Sequence, residues 1–339
     1  MNLSVRTDVS LRPYNSFAVE AQARHFAEAE NDQQVFQALA YAQAQQLQVL
    51  LLGGGSNMLL TTDVEALVLR MASRGIRLLS DDGERVVIEA EAGEPWHPFV
   101  QWTLAQGFAG LENLSLIPGT VGAAPVQNIG AYGVELKDLF AGLTALDRRS
   151  GELREFSLQD CAFAYRDSLF KRESGRWVIL RVRFALSRSA ALHLDYGPVR
   201  QRLAEQGISA PTALDVSQAV CAIRSEKLPD PAELGNAGSF FKNPLVSAEL
   251  AQRLRAEHAD LVAYEQADGQ VKLAAGWLIE RAGWKGFREG DAGVHRLQAL
   301  VLVNYGSASG AQLLALAQRI QADIAQRFAV DLEIEPNVL

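Results

Sequence analysis

The sequence contains little cysteine and no cluster of residues with the spacing of a metal site. Its two cysteines, Cys161 and Cys221, lie far apart in the chain, and its five histidines are scattered. Neither cysteine belongs to a Cys-x-x-Cys motif or a Cys/His cluster, which argues against a metal centre or a dithiol redox centre. We therefore expect both cysteines to be reduced, buried and structural, and we predict no bound metal.

Long apolar runs and an excess of basic residues are also missing. No window approaches about eighteen consecutive apolar residues, and residues 1–20 lack a basic start followed by an apolar core. The formal net charge is −8, which argues against nucleic acid or an anionic membrane as the main partner. These absences predict a cytoplasmic protein. We also expect a monomer whose partners are small molecules. A polyanionic ligand would have to be held by local basic residues or backbone amides.

Neither of the common nucleotide-binding motifs is present. The apolar run 49–52 leads directly into Gly53-Gly54-Gly55-Ser56-Asn57, as when a buried strand enters a glycine turn. The third glycine of a Rossmann fingerprint would fall at Met58, and no P-loop Gly-Lys-Ser/Thr occurs. A nucleotide would need a different cradle, in which several amide N–H groups of the turn face one anion.

The segment 117–133, IPGTVGAAPVQNIGAYG, is the second glycine-rich stretch. It has four glycines, two prolines and no charged residue, so it suits neither a regular helix nor an ordinary solvated loop. An uncharged wall with exposed amides suits a large, partly apolar and partly anionic ligand such as a dinucleotide. The alternative is a pair of glycine turns packed in a core.

Three polar residues stand in surroundings that could give them a chemical role. Arg166 follows an apolar run and needs an anionic partner, which is either a ligand or the adjacent Asp167. Ser239 lies between a glycine and two phenylalanines, as a proton donor or as a turn residue. Glu335 precedes Pro336 near the end of the sequence, as a functional carboxyl or a solvated one. These residues alone leave each alternative open.

The periodicity predicts an α+β protein and not a repeated βαβ array. Segments 143–147 and 153–156 flank a turn and form a predicted hairpin, and 177–186 is a predicted strand. A helix is predicted from about Val216, capped by Asp215, and a long helix from about Ser309. The alternation at 331–335 predicts a last strand.

Several motifs, in their order along nearly the whole chain, resemble the UDP-N-acetylenolpyruvoylglucosamine reductase family of peptidoglycan synthesis. They are GGGSN (53–57), GLENLSLIPG (110–119), QNIGAYGVE (127–135), YRDS (165–168), KLPDP (227–231), GSFFKNP (238–244) and EP (335–336). The glycine turns alone are moderately specific, whereas the ordered set is highly specific.

The resemblance implies an FAD enzyme of the vanillyl-alcohol-oxidase (PCMH) type, in which NADPH supplies the electrons and FAD is bound non-covalently. It implies two FAD-binding subdomains, residues 1–68 joined by a C-terminal strand at 330–339, and residues 69–222. Residues 223–329 would form a third, α+β substrate-binding domain. The segment LDYGP (194–198) is similar to the tyrosine loop of the family's longer branch.

The resemblance also implies roles for individual residues. The catalytic residues would be Arg166 and Glu335, which act on the substrate carboxylate, and Ser239, which donates the proton. Cofactor-binding residues would be Gly53, Gly54, Gly55, Ser56, Asn57, Pro118, Gly119, Gly122, Ala123, Ile129 and Gly133. Substrate-binding residues would be Tyr165, Tyr196, Lys227, Asn243, Lys285 and Gln298.

One departure from the family concerns the flavin phosphates. Relatives can carry serine or threonine where this chain has Ala123 and Ala124, so backbone N–H groups alone would serve here.

Two other functions share part of these features. An oxidase of the same fold would not need Ser239 and Glu335, and a non-catalytic flavin-binding or UDP-sugar-binding module would not need the catalytic residues at all.

Overall fold

The computed structural model describes residues 2–266 and 268–339. They form two compact units. Unit 1 comprises residues 2–9, Ala23–Gly54 and Val64–Glu226. Unit 2 comprises Ser10–Gln22, Gly55–Asp63 and Lys227–Leu339. The subdomain limits expected from the sequence stay a prediction.

The regular elements among the described residues are strands of two to eleven residues and nine α-helices, besides four short 3-10 helices. The strands are β1 (Val5–Ser10), β2 (Gln22–Ala29), β3 (Val49–Leu52), β4 (Met58–Leu59), β5 (Val64–Met71), β6 (Ile76–Asp81), β7 (Arg85–Glu91), β8 (Gly130–Ala131), β9 (Val134–Glu135), β10 (Phe140–Asp147), β11 (Leu153–Phe156), β12 (Trp177–Ser187), β13 (Gly235–Asn236), β14 (Leu245–Val246), β15 (Ala263–Glu265), β16 (Val271–Leu273), β17 (Arg288–Glu289), β18 (Ala292–Val294), β19 (Leu302–Asn304) and β20 (Asn337–Val338). The helices are α1 (Asp32–Ala44), α2 (Trp96–Ala105), α3 (Leu158–Cys161), α4 (Leu169–Arg172), α5 (Gly197–Glu205), α6 (Ala213–Lys227), α7 (Ala248–Glu257), α8 (Ala275–Arg281) and α9 (Gly310–Phe328).

Two sheets carry unit 1. Strands β2, β5 and β3 are parallel, with Phe26 and Leu50 both paired with Val68. Helix α1 begins where Asn31 accepts a hydrogen bond from the Gln34 N–H, and its apolar side joins the core of this sheet. The second sheet is antiparallel in the order β11-β10-β12-β7-β6, and the predicted hairpin at 143–156 is confirmed by the pairing of Leu146 with Leu153.

Unit 2 is built around one core that helices and short strands share. Strands β13, β19, β18 and β17 form an antiparallel sheet, and β14, β16 and β15 form another. Helix α9 confirms the predicted long helix, since Ser309 caps it in a capping box with Gln312. Its predicted apolar face is buried, at Leu313, Leu316, Ile320, Ile324 and Phe328.

Three local predictions are wrong. Residues 331–335 do not form a strand; within them Ile334 makes only an isolated bridge, to Phe241, although Leu332 is buried and Glu333 exposed as the alternation predicts. Helix α6 begins at Ala213 because Thr212, not Asp215, is the cap: Thr212 and Asp215 exchange backbone-to-side-chain hydrogen bonds. Both cysteines are free, but only Cys161 is buried, whereas Cys221 is half-buried.

No helix in the described part of the chain is both long enough and apolar enough to cross a membrane.

Candidate active site

Two glycine-bearing loops of unit 1 approach each other so closely that side chains are excluded. A Cβ atom on Gly54 would lie 2.7 Å from the Cα atom of Gly119, and one on Gly53 would lie 2.8 Å from the hydroxyl oxygen of Thr120. A Cβ atom on Gly122 would meet the Cβ atom of Ala92 at 2.5 Å. The predicted turn after β3 and the predicted stretch 117–133 therefore lie against each other, as a cradle made of backbone.

This cradle fits the diphosphate and ring system of a dinucleotide. Among the described residues, no protein acceptor is bonded to the backbone N–H of Gly54 or of Thr120. Free N–H groups on a glycine loop are what an anionic diphosphate binds. Pro118, Ala123 and Gly133 are exposed, and the Ile129 side chain is buried in the hydrophobic core of unit 1. The residues present fit FAD, but not through Ala123 and Ala124: their backbone N–H groups donate within the loop, to the carbonyl oxygens of Thr120 and Val121. The N–H groups of Gly54 and Thr120 would serve the phosphates instead.

The glycine turn continues into unit 2, where Gly55, Ser56 and Asn57 lie. Gly55 has a φ of +60°, and a Cβ atom there would lie 1.9 Å from the carbonyl oxygen of Tyr14. The Gly55 carbonyl accepts a hydrogen bond from the Ser16 N–H at 3.0 Å. Only glycine satisfies both the left-handed backbone and this close approach.

The loop 117–133 is fixed at its entrance by a histidine. Leu116, with a φ of +59°, donates its backbone N–H to Nδ1 of His97 at 2.9 Å. Burial and the nearby Arg224 guanidinium both lower the pKa of His97 below its usual value. The neutral imidazole is therefore favoured, as its acceptor role at Nδ1 requires.

Arg166 is held half-buried beside the same loop. Its Nη2 donates to the carbonyl oxygen of Gly130 at 2.9 Å, and its guanidinium carbon lies 5.5 Å from the ring centroid of Tyr165. The φ of Arg166 is +54°, an uncommon backbone conformation for a non-glycine residue. Asp167, the alternative partner considered from the sequence, forms an ion pair with Arg172. The local fold therefore presents Arg166 from a strained turn, as functional residues often are.

Tyr196 lies at the end of a segment that is attached to the 117–133 loop. Its exposed ring packs edge-on against Tyr132, with centroids 5.3 Å apart. Asn113, fully buried, donates from Nδ2 to the carbonyl oxygens of Tyr132 and His193, each at 2.9 Å. The side-chain amide of Asn113 thus connects the backbone of Tyr132 with the segment that leads to Tyr196.

Arg224 completes a basic region in unit 1. It lies on α6, is hydrogen-bonded to Tyr132, and has Arg166 as a like-charged neighbour. Burial lowers the pKa of Arg224 and raises that of Tyr132. Two guanidinium groups in one region favour an anionic ligand there.

In unit 2, the segment that carries Ser239 lies between two other segments that carry predicted site residues. Phe240 donates its N–H to the carbonyl oxygen of Leu300 at 2.8 Å, and its carbonyl oxygen accepts from the N–H of Glu335 at 2.9 Å. Lys242 adds a hydrogen bond from its N–H to the carbonyl oxygen of Glu333 at 2.9 Å. Ser239 is exposed and Glu335 is half-buried. The hydrogen bond between Glu335 and Phe240 therefore places Glu335 beside the residue that follows Ser239 in the chain.

Further predicted substrate residues surround this segment. Asn243 accepts the N–H of Ala275 at 3.0 Å, at the start of α8. A Cβ atom on Gly276, in the first turn of α8, would lie 3.4 Å from the side-chain oxygen of Gln298, so Asn243 and Gln298 both lie at that helix end. Lys285 pairs with Glu280 at 2.8 Å, and Lys227 is the exposed last residue of α6.

The predicted residues thus divide between the units, with Tyr165, Arg166 and Tyr196 in unit 1 and Lys227, Ser239, Asn243, Lys285, Gln298 and Glu335 in unit 2. Sequence reasoning did not select His97, Tyr132 or Arg224 as site residues. A signal for Arg224 was present, because it follows Val216 by eight residues and Val220 by four, a spacing that places an arginine on the apolar face of α6.

Two family models match parts of this chain. A family model described as an FAD binding domain matches residues 23–157, and one described as the C-terminal domain of UDP-N-acetylenolpyruvoylglucosamine reductase matches residues 230–339. The first match includes both loops of the cradle, the one with Gly53 and Gly54 and the one at residues 117–133. The protein is therefore an FAD-dependent oxidoreductase with an α+β FAD-binding fold.

Curated relatives assign the family. UDP-N-acetylenolpyruvoylglucosamine reductase from Pseudomonas fluorescens (strain Pf0-1) is 74% identical over 337 residues, covering 99% of each chain. The enzymes of that name from Pseudomonas aeruginosa and Chromobacterium violaceum are 65% and 56% identical, each over the full length of both chains. The chain belongs to the UDP-N-acetylenolpyruvoylglucosamine reductase family.

A solved structure supports the fold independently. The UDP-N-acetylenolpyruvylglucosamine reductase of Thermus caldophilus superposes with a TM-score of 0.66 at 23% identity, covering 99% of this chain and 98% of that one. At this identity the likeness concerns the fold alone.

Proposed function

We propose that this chain reduces UDP-N-acetylglucosamine-enolpyruvate to UDP-N-acetylmuramate, with NADPH as the electron donor. The observation that carries the proposal is the hydrogen bond between Glu335 and Phe240, because it places Glu335 beside the residue that follows Ser239. Both lie in the region matched by the family's C-terminal domain. The proposal takes the substrate from the names of the relatives.

The substrate is an alkene conjugated to a carboxylate, and the reaction adds two hydrogens across its double bond. Held by the glycine loops of unit 1 and reduced by NADPH, FAD would supply a hydride to the terminal methylene carbon. Negative charge then develops on the carboxylate, and a proton must reach the adjacent carbon. The protein is required to stabilise that charge and deliver that proton.

Three side chains meet these requirements in the proposal. Arg166 offers a planar fork of N–H donors to the substrate carboxylate, which a lysine cannot match. Glu335 donates a hydrogen bond to the same carboxylate while it is protonated. Ser239 delivers the proton, since its hydroxyl is exposed at the end of a rigidly bonded segment. Neither an oxidase nor a binding module of this fold needs this set.

The remaining predicted residues suit the diphosphate and sugar. Lys227 and Lys285 each carry a positive charge next to a proline-rich or glycine-containing turn, and Tyr196 presents an exposed phenol from the segment held by Asn113. Charge-assisted contacts from lysine suit phosphate oxygens. Asn243 and Gln298, both at the start of α8, supply neutral polar groups for the sugar.

The experiment compares four conditions of one assay on the purified holoenzyme. NADPH oxidation is followed with and without UDP-N-acetylglucosamine-enolpyruvate, aerobically and anaerobically, and the product is analysed by mass spectrometry. We expect oxidation that depends on this substrate, proceeds without oxygen, and yields a product heavier by two hydrogen atoms. Oxygen-dependent turnover without it would identify an oxidase, and no turnover with bound flavin would identify a binding module.

A further inference from the structure

A buried asparagine holds the turn that leads into Ser239. Asn236, at the end of β13, is 2% exposed. Its side-chain Oδ1 accepts the backbone N–H of Gly238 at 2.9 Å, and its Nδ2 donates to the carbonyl oxygens of Pro229 at 3.1 Å and Leu234 at 2.8 Å. All of these residues belong to unit 2. The amide therefore connects three backbone positions within one compact unit.

The bond to Gly238 fixes an uncommon backbone conformation. Gly238 has a φ of +70°, yet a Cβ atom on it would have no heavy atom within 4 Å. Glycine is thus required there by conformation and not by space. An asparagine oxygen that accepts the N–H two residues later forms an Asx turn, which stabilises such a bend.

The two hydrogen bonds from Nδ2 connect the turn to the segment that follows Lys227, a predicted substrate-binding residue. Pro229 lies two residues after Lys227, in the Lys-Leu-Pro-Asp-Pro segment. Asn236 is itself anchored, because its backbone N–H donates to the carbonyl oxygen of Ser16 at 2.9 Å and its strand pairs with β19. The backbone of Asn236 is thus held in place, and its side-chain oxygen in turn holds the N–H of Gly238.

We propose that Asn236 is a positioning residue for Ser239: through the Gly238 turn it sets the direction in which the serine hydroxyl faces the substrate. The inference rests on the proton-donating role of Ser239 that is proposed above. Ser239 is held on its other side by Phe240, whose N–H and carbonyl oxygen are both hydrogen-bonded. Asn236 holds the residue before Ser239, as the hydrogen bonds of Phe240 hold the residue after it.

The neighbouring strand offers a matched control. Asn304 in β19 pairs with Gly235 and is 4% exposed. Its Oδ1 accepts the N–H groups of Gly306 and Ala308, each at 3.0 Å, and its Nδ2 donates to the carbonyl oxygen of Phe17 at 2.9 Å. It is a buried asparagine with the same kind of bonds, but its turn leads to no predicted site residue.

The test separates the two half-reactions by rapid mixing. Asn236→Ala, Gly238→Ala and Asn304→Ala are each assayed for flavin bleaching by NADPH and for flavin recovery on addition of UDP-N-acetylglucosamine-enolpyruvate. We expect bleaching within about twofold of wild type in all three. We expect recovery, and kcat, to fall about tenfold or more in the Asn236 and Gly238 variants and to stay near wild type in Asn304→Ala, because small misplacements of reacting groups are costly. Gly238→Ala reports on the turn even if Asn236→Ala does not fold.

A double-mutant cycle with Ser239→Ala distinguishes positioning from a general structural effect. If Asn236 acts through Ser239, the loss caused by Asn236→Ala disappears in the Ser239→Ala background. Equal losses in both backgrounds, or equal slowing by Asn304→Ala, would overturn the inference and leave the proposed function intact. Wild-type turnover by Ser239→Ala would remove both the serine's role and the role of Asn236.

Discussion

The backbone N–H of Glu335 donates to the carbonyl oxygen of Phe240 at 2.9 Å. This bond joins the last part of the chain to the residue that follows Ser239, and the bridge between Ile334 and Phe241 continues the pairing. A carboxyl and a hydroxyl are thereby placed on neighbouring backbones with little freedom to separate. Such an arrangement suits one group that holds a substrate and another that protonates it.

Ser239→Ala should separate the two halves of the reaction. We expect flavin reduction by NADPH to stay within about twofold of wild type, because the serine has no role in it. Turnover of the enolpyruvyl substrate should fall roughly a hundredfold or more, the usual effect of losing a positioned proton donor. Stopped-flow absorbance of the flavin measures both.

A second serine of unit 2 provides the control. Ser247 caps α7, where its hydroxyl oxygen accepts the N–H of Leu250. Ser247→Ala should lower thermal stability slightly, by about 1 kcal/mol, and leave both half-reactions unchanged. Slowing of flavin reduction by Ser239→Ala as large as its effect on turnover would contradict the assigned role.

Arg166→Lys should show whether a positive charge is sufficient. Lysine keeps the charge but loses the fork that donates to Gly130 and would pair with the substrate carboxylate. We expect kcat/KM for the enolpyruvyl substrate to fall roughly tenfold to a hundredfold, corresponding to about 1.4 to 2.8 kcal/mol. Steady-state kinetics at saturating NADPH measure this loss.

The conformation of Arg166 affects how this result is interpreted. Because its φ is +54°, a substitution to another non-glycine residue keeps the same backbone cost, and the comparison isolates the side chain. Arg172→Lys is the control, since Arg172 pairs with Asp167 nearby. Wild-type kinetics for Arg166→Lys would exclude Arg166 from the mechanism.

The sequence predicted most elements whose signal is local. The long helix after Ser309, the apolar strand 49–52 and the hairpin at 143–156 all have apolar periodicity with clear caps or turns, and the structure confirms them. The resemblance to the reductase family is confirmed as well. Residues 331–335 had the alternation of a strand but gained only one bridge, because ladder pairing depends on a partner that periodicity does not reveal.

The parts of the site that sequence reasoning missed depend on tertiary contacts. His97 accepts the N–H of Leu116, and Asn236 accepts the N–H of Gly238. Glycines marked the tight turns, yet Asn128, Tyr132 and Arg166 also take left-handed backbones, which composition does not predict for tyrosine or arginine. The role of such residues can be recognised only from their tertiary contacts, which the sequence does not give.

Gly54→Ala should weaken flavin binding. The added methyl group would lie 2.7 Å from the Cα atom of Gly119, so the two loops of the cradle would have to separate. Overpacking of this kind costs about 1 to 3 kcal/mol, which would weaken FAD binding roughly fivefold to 150-fold if the strain falls on the site. Fluorescence titration of the apoprotein with FAD measures the change.

Gly197→Ala is the matched control for that substitution. Gly197 lies in the same unit, at the start of α5, and a Cβ atom on it meets nothing within 4 Å. We expect its FAD affinity to equal that of wild type. Equal affinity in Gly54→Ala would mean that the close approach of Gly54 and Gly119 is not part of the flavin cradle.

His97 should make the stability of unit 1 depend on pH. Its Nδ1 accepts the N–H of Leu116, and burial, with the charge of Arg224, lowers its pKa below the usual 6.5. Between that folded-state pKa and 6.5 the unfolded chain binds more protons than the folded one, so stability rises with pH through this window. The contribution is fully present above about pH 6.5 and is lost as the pH falls towards the folded-state pKa.

His97→Asn isolates this contribution, because the asparagine oxygen can accept the Leu116 N–H but does not titrate. We expect thermal unfolding midpoints of the two proteins to be similar near pH 8 and the wild type to lose more stability than the variant between pH 7 and pH 5. His193→Asn, at an exposed position, should follow the wild type. If the His97→Asn and wild-type curves run parallel over this range, protonation of His97 is not linked to unfolding, and the entrance to the 117–133 loop is held by other groups.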